Sequence, residues 1–247
     1  MPVIYLSPST QEFNAYINGG TEEYYMNLVA DAMEPYLRSS GIGFVRNTPE
    51  MTAASSIVQS NAGAFDLHVS LHSNAAPESL SGQLTGTEVY YNPQNMESLR
   101  AAEIISQNLK NVYYNPDRVR TLAASELGEV LQTRAPGVLI EYAYHDNETD
   151  AAFIKDNIES LARATVIALT EYFGIPFVEA MEPKEGVVSI TADFLNIRQF
   201  PSIYADSLAR AYNGDPITIL GQWEDWYVVD YNGVIGYVMT IYVMPVE

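Results

Sequence analysis

Asp66-Leu67-His68-Val69-Ser70-Leu71-His72-Ser73-Asn74-Ala75 decides how the rest of the chain is read. Its first seven residues, Asp66–His72, form a short, largely apolar run with the length of a buried strand, and Ser73-Asn74-Ala75 ends it in a loop. In open α/β sheets, ligands gather at the carboxyl ends of strands, which makes His72 a candidate site residue. His68 shares its strand parity but stands four residues back, about 13 Å away at roughly 3.3 Å per residue, so one metal cannot take both.

On either side of this stretch, strand-like runs alternate with amphipathic ones. Val3–Leu6, Gly43–Arg46, Thr87–Tyr91 and Val138–Tyr142 read as strands; the segments at about 21–38, 52–62, 96–112 and 148–172 read as helices. The alternation predicts an α/β sheet with helices on both faces. After Gly174 the pattern changes. Residues 175–186 contain Pro176 and Pro183 without periodicity and read as a linker, which divides the chain into domains at 1–174 and 187–247. Beyond it, Val188–Ala192, Pro216–Gln222, Trp226–Tyr231 and Val234–Val238 read as short strands. Asn213-Gly214 and Asn232-Gly233 mark hairpin turns, and a small all-β barrel follows.

Composition excludes several function classes. A formal net charge of -19 opposes nucleic-acid binding, which draws on Lys and Arg. With no cysteine there is no disulfide and no thiolate metal site, so a metal would need histidine, carboxylate, amide or hydroxyl ligands. No stretch has the ~20 apolar residues of a membrane span. Met1–Leu6 reads as a buried strand and not as a signal peptide.

A second strand-end candidate is Glu141, which closes the apolar run Pro136-Gly137-Val138-Leu139-Ile140-Glu141. A charge there is costly to bury unless it is paired or used. At this point the residues resemble a family, the zinc-dependent N-acetylmuramoyl-L-alanine amidases of type 3. Ser70-Leu71-His72-Ser73-Asn74-Ala75 has the form of the family's zinc-histidine strand. Pro136 through Glu141, continuing to Asn147, has the form of the run that carries its catalytic glutamate. Thr21-Glu22-Glu23-Tyr24-Tyr25-Met26-Asn27-Leu28 places Glu23 at the family's helix-initial zinc-binding glutamate, with Glu22 as the near alternative. Arg46, Asn61 and the Gly86-Thr87-Glu88-Val89-Tyr90-Tyr91 strand follow in the expected order.

One segment departs from the family. Where it opens with Asp-Pro-Gly-His-Gly, this chain has Ser7-Pro8-Ser9-Thr10-Gln11, so Thr10 stands in for the first metal-binding histidine. The resemblance then implies a zinc site of His72 and Glu23 with a third ligand from Thr10, Gln11, Glu12 or Glu22. It also implies the type 3 amidase fold, phosphorylase/hydrolase-like. The implied reaction is hydrolysis of the amide between N-acetylmuramic acid and L-alanine in peptidoglycan, with Glu141 as the base, outside the cell or in its wall. The loss of the first histidine sets a rival beside it, a non-catalytic wall-binding protein on the same fold. His145 is expected to cap a loop. Ala192 through Ser202, Trp226-Tyr227-Val228-Val229 and Gly233 through Val238 resemble bacterial SH3-like domains. There Trp226 and Tyr227 are expected in the core, and Trp223 at the surface as a stacking candidate.

Overall fold

A computed structural model describes residues 1–246. The chain divides into two compact units. One comprises Val3–Met33 and Phe44–Tyr172; the other comprises Met1–Pro2, Glu34–Gly43 and the chain from Phe173 onward.

The elements run in the order β1 (Val3–Pro8), α1 (Glu22–Ser39), β2 (Gly43–Arg46), α2 (Ala53–Ala62), β3 (Leu67–Asn74), β4 (Thr87–Tyr91), α3 (Met96–Leu109), β5 (Val119–Ala123), α4 (Gly128–Leu131), β6 (Gly137–Tyr144), α5 (Glu148–Asp156) and α6 (Ile158–Phe173). The six strands form one sheet in the order β2-β1-β3-β6-β4-β5. β3 is parallel to β1 and β6, whereas β4 runs antiparallel to β6, so the sheet is mixed. The central strands are apolar because both faces are covered: Leu67, Val69, Leu71, Val138 and Ile140 have no exposed surface.

Side-chain caps fix the helix starts. The Thr52 hydroxyl accepts from Ser55 N while the Ser55 hydroxyl accepts from Thr52 N, a reciprocal cap on α2. Asn95 caps α3, and Asn147 caps α5 by accepting from Thr149 N and Asp150 N. The single long helix expected over 148–172 is broken at Asn157, which ends α5 just before α6 begins. Asp150 is fully buried and takes four donors: Tyr113 and Tyr114 hydroxyls and the amides of Gly86 and Tyr144.

In the second unit, β7 (Lys184–Val188), β8 (Leu195–Arg198), β9 (Ser207–Ala211), β10 (Pro216–Trp223), β11 (Trp226–Tyr231), β12 (Val234–Met239) and β13 (Val243–Pro245) form a seven-stranded sheet whose pairings are antiparallel. Its strand order is β13-β7-β10-β11-β12-β8-β9. Asn232 and Gly233 both have positive φ and turn β11 into β12. The core is built from Val188, Ile197, Ile217, Ile219, Val229 and Val238 with their neighbours. β7 begins at Lys184, and Val178 is buried with Leu220, Val228 and Tyr237, so part of the segment read as a linker packs into this unit. Trp223, expected at the surface, is half-buried against that same cluster. Trp226 packs partly on that cluster too, and also lines a cavity of about 350 Å³ with Phe194, Arg198 and Tyr242 among its neighbours.

Candidate active site

Three adjacent strands carry the site. His72 on β3 pairs in register with Glu141 on β6, and Glu141 pairs with Glu88 on β4. Residues opposite one another in a sheet project from the same face, so the register alone groups these three. The β3–β6 register shifts between His72 and Asn74, where β3 runs out.

His72 is buried and held at both ring nitrogens. Nδ1 lies 2.8 Å from Glu22 Oε1, and Nε2 lies 3.1 Å from Glu129 Oε2. Glu22 opens α1 and is buried; its other oxygen accepts from Asn14 Nδ2 at 2.6 Å. The family spacing points to Glu23, but neighbouring helix residues point about 100° apart, and it is Glu22 that faces His72. Glu23 instead lines a surface cavity with Tyr24, Asn27 and Arg46. Gln11 reaches the same side of the ring, Nε2 to Nδ1 3.4 Å, and its Oε1 accepts from Asn14. Thr10 lines a cavity of about 320 Å³ together with Gln11, Phe13, His72 and Glu129.

Nothing in the sequence pattern marks Glu129. It sits on the four-residue α4, is buried, and takes a hydrogen bond from the Ser7 hydroxyl at 2.5 Å. The same oxygen lies 3.4 Å from His68 Nε2, so one carboxylate spans both histidines of β3. His68 is further fixed by Ser60 and Ser70 hydroxyls. His145 accepts or donates at Ser73 and stacks on Tyr16, which holds the loop after β6.

Burial and charge act against each other here. Burial pushes the His72 imidazole down, but hydrogen bonds and charge from Glu129 and Glu22 outweigh it and raise its pKa well above the ordinary value. Burial pushes both carboxylates up; His72, with Asn14 and Ser9 for Glu22 and with His68 for Glu129, holds them below the usual range. Glu141 goes the other way. Burial raises it; His72 lowers it, and Glu22, Glu88 and Glu129 raise it again, to about 8. Its Oε2 is buried without a hydrogen-bond partner among the described residues. Glu88 takes hydrogen bonds from Asn74, Tyr90, Tyr144 and Arg120.

Residues 9–171 match the family N-acetylmuramoyl-L-alanine amidase. The chain belongs to that amidase family. A second match, bacterial SH3 domain, covers residues 193–243. Among curated proteins no relative matches. Among solved structures, the amidase unit is similar to the amidase AmiC2 of Nostoc punctiforme at 15% identity and a TM-score of 0.61, covering 70% of this chain and 97% of that one. It is similar to the catalytic domain of the amidase CwlV from Bacillus (Paenibacillus) polymyxa var. colistinus at 19% and 0.61, covering 71% and 100%. It is also similar to the catalytic domain of the CD27L endolysin targeting Clostridia difficile, at 22% and 0.57, covering 69% and 98%. These likenesses extend the amidase fold to this unit.

A catalytic zinc takes three protein ligands and keeps one position open. The donors of this amidase-family chain do not fit that requirement. Glu22 and Glu129 approach His72 from opposite edges of the ring and do not converge on one point. Thr10 brings a hydroxyl where the resemblance implies an imidazole. Among the described residues, no group of three or more His, Cys, Asp or Glu side chains is disposed to hold a metal ion.

Proposed function

We propose that the chain hydrolyses the amide between the lactyl group of N-acetylmuramic acid and L-alanine in peptidoglycan, outside the cell or in its wall. The SH3-like unit holds it on that polymer. The reading is supported by the family match and carried by one observation. Glu141 lies within the central strand β6, three residues before its end and in register with His72, with a buried oxygen that no protein group satisfies among the described residues. Such an atom is placed to exchange a proton with a bound reactant.

Zinc belongs to what the family resemblance implies, but the donors do not fit it, and the steps here use only the chain's own groups. In its ionised form Glu141 takes a proton from water as the water oxygen bonds to the carbonyl carbon. The C–N bond then breaks, and the proton passes from Glu141 to the leaving nitrogen. The products are a lactyl carboxylic acid and a free alanine amine. His72, fixed between Glu22 and Glu129, favours the ionised Glu141 by its charge.

The test is release of new amino termini from soluble muramoyl peptides. Glu141→Gln is expected to lower the rate by about 10²–10⁴-fold with the fold retained; equal rates in parent and variant would remove Glu141 from the chemistry. Thr10 and the occupied ring of His72 favour a second reading, a wall-binding protein without turnover. It is the outcome if the parent sediments with peptidoglycan and releases no amine.

A further inference from the structure

We infer that Glu129 is a positioning residue: it holds Nε2 of His72 while Glu22 holds Nδ1, so neither ring nitrogen keeps a lone pair for a metal, and a carboxylate–imidazole–carboxylate clamp stands where a zinc centre is implied. The inference rests on the geometry around His72 and not on hydrolysis of a muramoyl amide.

Four observations carry it. First, Glu129 is aimed: Ser7 donates to Oε1, His68 Nε2 lies against that same oxygen, and Oε2 is left for His72. Second, its element is seated at close range. A Cβ on Gly137, the first residue of β6, would lie 2.7 Å from Glu129 O and 2.9 Å from Val130 Cα, so only glycine lets α4 approach this strand. Third, the clamp is two-sided, since Glu22 is itself fixed by Asn14 while it holds Nδ1. A metal at either nitrogen must displace a carboxylate that has other partners. Fourth, Thr10, which occupies the position of the family's first histidine, lines the cavity bounded by His72 and Glu129 and adds no imidazole to offset that displacement.

The clamp makes a prediction opposite to that of a conventional metal site. Where a carboxylate orients a metal-bound histidine, removing it typically lowers metal affinity 10–100-fold. Here Glu129→Gln frees the ring from one acidic acceptor, and zinc affinity is expected to rise above the parent's instead of falling. The experiment titrates zinc into the parent and into Glu129→Gln by calorimetry, after chelation and desalting, with circular dichroism as the check on folding. The side-chain ¹⁵N resonances of His72 are recorded in the parent with and without zinc. The expected result is two N–H-type ring nitrogens that zinc does not shift, no stoichiometric zinc retained by the parent, and tighter binding by the variant.

Retention of one zinc per chain by the parent overturns it, as does a bare or metal-shifted ring nitrogen or a fall in affinity in Glu129→Gln. If that variant does not fold, the parent's zinc retention and ring resonances decide the question alone. Amine release is a separate readout, so an inactive protein with a clamped His72 contradicts the proposed reaction and leaves this inference standing.

Discussion

At the scale of single residues, Glu141 sets the pH behaviour. With its pKa near 8, the carboxyl is largely protonated at neutral pH, and a reaction that uses it as the base accelerates with pH up to a plateau above about 8. A pH profile of amine release that is flat from 6 to 9 would contradict this. Stability carries the opposite sign. The folded pKa lies above the ordinary carboxyl value of 4.5, so the native state binds the extra proton between 4.5 and about 8 and loses stability as pH rises through that window. A tenfold difference in proton affinity between the folded and unfolded chain corresponds to about 1.4 kcal/mol. Glu141→Gln removes the titrating group, so its melting temperature is expected to exceed the parent's most at pH 9 and least at pH 4. Thermal scans at the two pH values measure the difference.

At the scale of elements, the site depends on how α4 meets β6. Gly137→Ala places a methyl group against Glu129 O, Val130 Cα and the Thr133 hydroxyl, all within 3 Å. The expected cost is about 1–3 kcal/mol from overpacking. Because the same shift moves Glu129, zinc uptake by Gly137→Ala is expected to follow that of Glu129→Gln; unchanged denaturation midpoint and zinc uptake would show that α4 adapts freely. What the sequence discloses about the site follows from what each element exposes to local patterning. His72 and Glu141 close apolar runs in the sequence, and a polar residue there is visible without knowing its partners, although β3 continues to Asn74 and β6 to Tyr144. Glu22 and Glu23 are adjacent, and only the phase of α1 distinguishes them. Glu129 is invisible at that level: a four-residue helix has no periodicity, and its partners Ser7, His68 and His72 are far away in the chain. The broken helix at Asn157 and the partial burial of Trp223 beside Trp226 are likewise decided by packing, which no local pattern records.

At the scale of the whole molecule, the alternation of elements suffices for an α/β sheet followed by a small β domain, but residues 34–43 are not separable by composition from the rest of α1. They belong to the unit built from the chain after Phe173. Ser40 exchanges hydrogen bonds with Val178, and Gly221 packs on Ser39 O so closely that a Cβ there would overlap it. Deleting residues 187–247 removes β10 to β12 from these partners. The remaining chain is expected to lose about 2 kcal/mol or more and to become protease-sensitive within 34–43; an unchanged melting temperature and digestion pattern would contradict this. The discontinuity also bears on synthesis. A ribosome delivers the end of α1 early and these partners much later, so Glu34–Gly43 waits through the intervening synthesis without Phe177 on Tyr36 and without Val178 on Ser40. Such sequence-distant closure slows folding and leaves apolar surface open to other chains in the interval. In this protein the last third of the chain therefore completes a structure that its first fifth begins.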